Sequence, residues 1–191
     1  MTDDLTITGL WRNRRDGGSE VFALARTEEG TRLAGTVVGW LGPRAGVVDY
    51  EVLCDSGWRT RSVSIRSNDY REMIECVLES DGTGTWFREQ VEQAQLSGCI
   101  DVDIGVTPLT NTLPVRRLRL EVGEACEIVV AWIRFPTLDV VPARQRYTRL
   151  AHDRYQYQSL ASGFQTEVIV DDDGLVVEYG DIWCRESKAA G

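Results

Sequence analysis

Residues 31–41 (TRLAGTVVGWL), 46–54 (GVVDYEVLC) and 58–66 (WRTRSVSIR) decide the fold class. They follow one another across breaks that contain Gly and Pro, and within them apolar and polar residues alternate. In the third, Arg59, Arg61, Ser62, Ser64 and Arg66 interleave with Val63 and Ile65. A period of two residues sends successive side chains to opposite faces, the mark of a half-buried strand. The pattern continues toward the C-terminus. Residues 71–79 (REMIECVLE) fit a strand or a pair of helical turns; strand is expected, because strands flank them and Asp81-Gly82 is a hairpin signal. Alternation returns at 83–88, 99–104, 126–135, 144–150, 154–160, 163–170 and 174–179, and Asp171-Asp172-Asp173-Gly174 closes a hairpin between the last two.

The segment 107–114 (TPLTNTLP) holds two prolines, cannot be a central strand, and is expected to loop, with a helical turn opening at Thr112 or Pro114. Ten or more short strands without a long helical pattern must curl, split or close on themselves. The expected fold is therefore mainly β: a strongly curved antiparallel roll, a sandwich or a barrel, with few short helical turns. The 191 residues fit one domain over 1–191, frayed from about residue 187. No repeat or low-complexity segment interrupts it.

A net charge of −9 repels nucleic-acid backbones and anionic lipid headgroups, so neither nucleic acid nor a flat membrane surface is an expected partner. Of 21 basic residues only Lys188 is a lysine; coding bias explains most of that, and Arg forks for carboxylate or phosphate apply at a few positions. Five cysteines, Cys54, Cys76, Cys99, Cys126 and Cys184, form no CxxC pair. An odd, unspaced set argues against a disulfide framework and against a zinc site, and reads as buried small hydrophobes in a reducing cytoplasm. The N-terminus lacks the basic and apolar regions of a signal peptide, and no stretch nears the roughly 20 apolar residues of a membrane span.

Catalytic chemistry finds little footing. The lone histidine, His152, sits in a Leu-Ala-His-Asp-Arg turn, where a solvated surface role is the ordinary one. No Gly-x-Ser-x-Gly elbow and no phosphate-cradling glycine loop occurs. Asp101 and Asp103 lie two apart on a strand and share a face, with Ile100, Val102 and Ile104 on the other. Such a pair needs Arg or a cation to offset its repulsion, or it accepts hydroxyls in a cavity. The run Arg144-Gln-Arg-Tyr147 followed by Tyr155-Gln-Tyr157 offers aromatic faces and hydrogen-bond donors suited to a sugar; cross-strand packing is the structural alternative. Six tryptophans could line an apolar cavity or fill a core.

The string CIDVDIGVTPLTNTLPVRRL at 99–118 resembles the signature of a bacterial family of unknown function named "putative glycolipid-binding". Gly84-Thr-Trp86, Pro136, Gln145-Arg-Tyr-Thr148, Tyr155-x-Tyr157, Asp173-Gly-Leu-Val-Val177 and Tyr179 follow the family's order, so the match spans about 35–185. The resemblance implies a spiral antiparallel β-roll similar to bacterial lipoprotein carriers. It brings no established functional residue with it, and fold analogy alone does not fix function. Those carriers work outside the inner membrane, whereas this chain shows no export signal.

The expectation is a binding module without catalytic activity, cofactor or metal, holding a glycolipid or other amphipathic molecule in a cavity of the curved sheet. Asp101, Asp103, Asn111, Arg116 and Arg117 would form its polar end in one cluster around the 107–114 loop, with Arg146, Tyr155 and Tyr157 contributing. The alternatives are an enzyme on a small polar metabolite using the Asp101/Asp103 pair, and a partner-binding protein whose roll is filled with side chains. Oligomeric state stays open.

Overall fold

The computed structural model describes residues 6–187; the tail expected to fray, Lys188 onward, lies outside them. A meander comes first: β1 (Thr6–Asn13), β2 (Ser19–Arg26), β3 (Gly30–Trp40), β4 (Ala45–Asp55), β5 (Thr60–Asn68), β6 (Met73–Ser80), β7 (Trp86–Arg88) and β8 (Val91–Glu92). A 3-10 turn at Ala94–Leu96 leads to β9 (Asp101–Ile104). A second, at Leu109–Asn111, runs into α1 (Thr112–Leu118). A second meander follows: β10 (Ala125–Arg134), β11 (Asp139–Ala151), β12 (Arg154–Ser159), β13 (Gln165–Val170), β14 (Val176–Tyr179) and β15 (Trp183–Glu186).

All fifteen described strands join one open sheet, ordered β8-β7-β6-β5-β4-β3-β2-β1-β15-β14-β13-β12-β11-β10-β9. The two meanders meet where β1 pairs β15, with Leu10 opposite Glu186 and Asn13 opposite Trp183. The sheet coils back on itself: β9, at one edge, reaches β5 near the other, where the Val102 N–H donates to Thr60 Oγ1 at 3.1 Å. The mainly β, curved architecture matches the sequence expectation, with one correction. The sheet is mixed, because β9 runs parallel to β10. Parallel neighbours need a crossover rather than a hairpin, and α1 supplies it. Pro114 is tolerated there because it falls in the first turn, where backbone N–H groups have no helical partner.

The alternation argument missed β1, β2, β8 and β15. In β2 the inward positions include Glu20, fully buried, while Val21 on the outward face is 59% exposed, so polarity contradicts burial at both. The core is continuous through both meanders. Trp11 stacks on Phe22 with centroids 3.7 Å apart, and its indole N–H donates to Val176 O at 2.9 Å, tying the first strand to the second meander. The stretch between β8 and β9 is fastened to β7 by Trp86 Nε1 to Cys99 O at 2.7 Å and to the turn before β7 by Gly98 N–H to Gly84 O at 2.9 Å. Gly84 is needed there: a Cβ would lie 2.9 Å from Gly98 Cα, at a φ of +111°.

Candidate functional site

Asp101 and Asp103 leave β9 on one face, as their spacing requires, while Val102 and Ile104 pack into the core on the other. Their fates then differ. Asp101 is wholly buried and gripped by Arg117 from the last turn of α1, Nε to Oδ1 at 2.8 Å and Nη2 to Oδ2 at 2.7 Å. Burial pushes the Asp101 carboxyl up, against the pull of the guanidinium fork. Two parallel charge-assisted bonds keep this an ion pair that seals α1 onto β9.

Asp103 borders a cleft and has no cationic partner among the described residues. Gln145 Nε2 donates to its Oδ2 at 2.6 Å, and Thr110 Oγ1 lies 3.5 Å from Oδ1. Burial raises its carboxyl to about 6, with both hydrogen bonds acting in the opposite direction. The residue keeps partial solvent access on the cleft side while protein encloses the rest.

The loop after β9 satisfies its own backbone, as a proline-bound segment must. Thr107 Oγ1 accepts from the Leu109 N–H at 2.9 Å, and Asn111 Nδ2 donates to Pro108 O at 3.0 Å. Tyr147 then donates its hydroxyl to Asn111 Oδ1 at 2.8 Å, which fixes the loop against β11.

The cleft has a volume of about 820 Å³. Asp103, Asn111 and Gln145 give it a polar floor; Tyr157, Phe164 and Tyr179 form one wall, and Trp132, next to Asp103 in the β9–β10 register, and Trp183 also line it. The wall is a connected aromatic cluster. Tyr157 lies 6.2 Å from Phe164 and 5.9 Å from Tyr179, and meets Tyr147 edge-on at 5.4 Å. Burial raises the Tyr157 and Tyr179 hydroxyls, and the Asp103 charge pushes both the same way.

Behind the floor lies a second polar group. Thr107 donates to Glu20 Oε1 at 2.8 Å, Tyr50 donates to the same oxygen, and the two hydroxyls are 3.1 Å apart. Glu20 Oε2 is buried with no partner. Desolvation pushes the Glu20 carboxyl to about 8, so it is mostly protonated at neutral pH. Gly35 makes room for the group, since a Cβ there would come within 2.5 Å of the Tyr50 hydroxyl and 2.7 Å of Glu20 Oε1.

The single cluster expected from the sequence is divided. Asp103, Asn111 and Tyr157 line the cleft, and Asp101 with Arg117 stands just outside it. Arg116 does not join them. It donates to Asp172 O at 3.3 Å, and its guanidinium sits 5.3 Å from the Trp58 ring. Tyr155 lies under Arg149, 5.7 Å from its guanidinium, in a separate depression of about 510 Å³ that Arg116 and His152 also border. Arg149 spends its donors on the carbonyls of Leu120, Ala151 and His152. Arg146 is exposed on the outer face of β11, because strand alternation turns Gln145 and Tyr147 inward and Arg144 and Arg146 out. Phe164 was not selected from the sequence, Gln145 entered only within the Arg144–Tyr147 run, Trp183 only among the six tryptophans, and Tyr179 only in the family's motif order. The Arg144–Tyr147 run pointed to the right strand, but charge drew attention to its outward half.

Among the described residues no group of three His, Cys, Asp or Glu side chains is placed to hold a metal. The five cysteines are free, Cys54, Cys76 and Cys99 buried and Cys126 and Cys184 half-buried. No described helix is long and apolar enough to cross a membrane.

Comparison with known proteins agrees with this architecture. No curated protein matched the chain. The crystal structure of a DUF1089 family protein from Pseudomonas aeruginosa is similar over 93% of this chain and 90% of its own, with 29% sequence identity and a TM-score of 0.69. A family model described as "Putative glycolipid-binding" matches residues 8–185. The match runs from β1 to β15 and includes every residue of the cleft, so the chain belongs to that family.

Proposed function

We propose that this protein binds an amphipathic small molecule, a glycolipid or a lipid of similar build, in the cleft between the post-β9 loop and residues of β11, β12 and β14. One observation carries the reading: a cleft of about 820 Å³ joins a connected aromatic wall to a polar floor. That size falls within the ~300–1,000 Å³ range of small-molecule sites. Aromatic faces take the apolar parts of a ligand, and the Asp103–Gln145 pair accepts and donates hydrogen bonds to its polar head. A roll filled by its own side chains would leave no such space.

Binding is favoured over catalysis by the fate of the carboxylate pair. An enzyme using Asp101 and Asp103 together needs both at the substrate, yet Asp101 is sealed under α1 by both nitrogens of the Arg117 fork. The free thiols fit a reducing compartment, and we place the protein in the cytoplasm on that ground. Native mass spectrometry of protein purified from its own host tests the binding reading, and a retained lipid or glycolipid is the expected added mass. An alkyl glycoside titrated against tryptophan fluorescence should bind the wild type and not Phe164→Asp, which places a charge in the aromatic wall. Equal glycoside binding by both proteins would remove the cleft from consideration.

A further inference from the structure

The two carboxylates of β9 are treated differently by the fold. Asp101 receives a guanidinium in bidentate contact. Asp103 receives only neutral donors, Gln145 and Thr110, although it is the one charged group on the cleft floor. Among the described residues the one basic side chain lining the cleft, Arg144, is occupied by Glu127 at 2.8 Å. Tyr157, Phe164 and Tyr179 line the same cleft, where the Asp103 charge acts on the Tyr157 and Tyr179 hydroxyls, and Trp132, the β10 register neighbour of Asp103, and Trp183 line it too. A half-enclosed anion in an aromatic-lined cleft is an arrangement that selects an ammonium group, because the carboxylate supplies the counter-charge and aromatic rings attract a cation. A neutral hydroxyl would satisfy hydrogen bonds there but leave the charge uncompensated. The net charge of −9 draws the same sign of ligand toward the site.

We infer that the ligand's polar head carries a cationic amine, primary or quaternary, which pairs with Asp103 inside the aromatic cleft. This rests on the binding reading above and narrows it to amine-bearing amphiphiles. Asp103 is the counter-ion, Gln145 positions it, and Tyr157, Phe164 and Tyr179 enclose the alkyl groups next to the nitrogen.

The test uses three probes of one chain length, each below its micellar concentration: decyltrimethylammonium, decyl glucoside and decyl sulfate. Binding is followed by tryptophan fluorescence and by calorimetry. The wild type should bind the ammonium probe at least about 10-fold more tightly than the glucoside, with the sulfate weakest. Asp103→Asn should weaken the ammonium probe far more than the glucoside and bring the two affinities within about 2-fold of each other. A second measurement needs no variant. Near pH 6 Asp103 is part-protonated, while its neighbours Tyr147, Tyr157 and Tyr179 stay neutral and Asp101 stays paired with Arg117. Calorimetry in two buffers of different ionisation enthalpy should then show proton release on binding the ammonium probe and none on binding the glucoside. Glucoside binding without ammonium preference, or a preference that survives Asp103→Asn, overturns the inference and leaves the cleft reading standing. Failure of all three probes to bind overturns both.

Discussion

Glu20 gives the sharpest handle on the energetics of this fold. It sits on β2 between Trp11 of β1 and Val37 of β3, fully buried, with one oxygen held by Tyr50 and Thr107 and the other unpartnered. Desolvation raises its carboxyl from the ordinary 4.5 to about 8. A group whose folded-state pKa is raised contributes stability that is fully present below its unfolded pKa and is lost as pH climbs through the folded one. At about 1.4 kcal/mol per pH unit, the whole passage from 4.5 to about 8 is worth about 5 kcal/mol. Asp103, also raised by burial, acts in the same sense but is largely spent above its own value of about 6. Asp69 and Asp81, held below the carboxylate range chiefly by Arg44 and by Thr83 respectively, act at more acidic pH. Asp101 is raised by burial as well, and a comparison with a Glu20 variant between pH 6 and pH 8 removes its contribution. Glu20→Gln keeps the shape and removes the titration. Urea unfolding at fixed pH, followed by tryptophan fluorescence, should show the wild type losing about 2 kcal/mol relative to Glu20→Gln between pH 6 and pH 8. Parallel stability curves for the two proteins across that window would refute the assignment of a buried, neutral Glu20.

Further outcomes follow from the same contacts. Arg117→Ala leaves Asp101 buried without its counter-charge and should destabilise the protein by about 3–5 kcal/mol, whereas Asp172→Ala in the exposed turn after β13 should stay within about 0.5 kcal/mol; equal melting temperatures would contradict the pairing. Gly35→Ala drives a methyl group into the Tyr50–Glu20 contact and should cost about 1–3 kcal/mol, while Gly39→Ala on the same strand, whose Cβ meets only Gly18 Cα at 3.4 Å, should be nearly neutral. Thiol titration should count five free cysteines after denaturation without reductant. In the native protein Cys126 and Cys184 should react first, because burial raises the thiols of Cys54, Cys76 and Cys99 and hides them; early modification of Cys54 would contradict its placement in the core.

What the sequence discloses depends on whether local pattern and tertiary environment agree. Along β4, Val48, Tyr50, Val52 and Cys54 alternate with Asp49, Glu51 and Leu53, and the strand is where alternation puts it. Along β2 they disagree: Glu20 goes in and Val21 goes out, because the inward carboxylate is neutralised by burial and met by Tyr50 and Thr107 from distant parts of the chain. The same difference divides the candidate site. The two-residue spacing put Asp101 and Asp103 on one face correctly, since that is a property of the strand itself. It could not say that α1 would fold Arg117 onto Asp101 while turning Arg116 toward Trp58, because adjacent helical positions point about 100° apart and the partner surfaces come from β9 in one case and from the turn before β5 in the other. Nor could charge identify which half of the Arg144–Tyr147 run faces the cleft. Gln145 and Tyr147 turn inward because an uncharged amide and a phenol are cheaper to bury than two guanidinium groups, and each finds a single partner there, Asp103 and Asn111. On β11, then, the phase of neutral hydrogen-bonding residues leads inward; on β9 the inward phase is charged, and only the Arg117 fork and the Gln145 amide that meet it explain why.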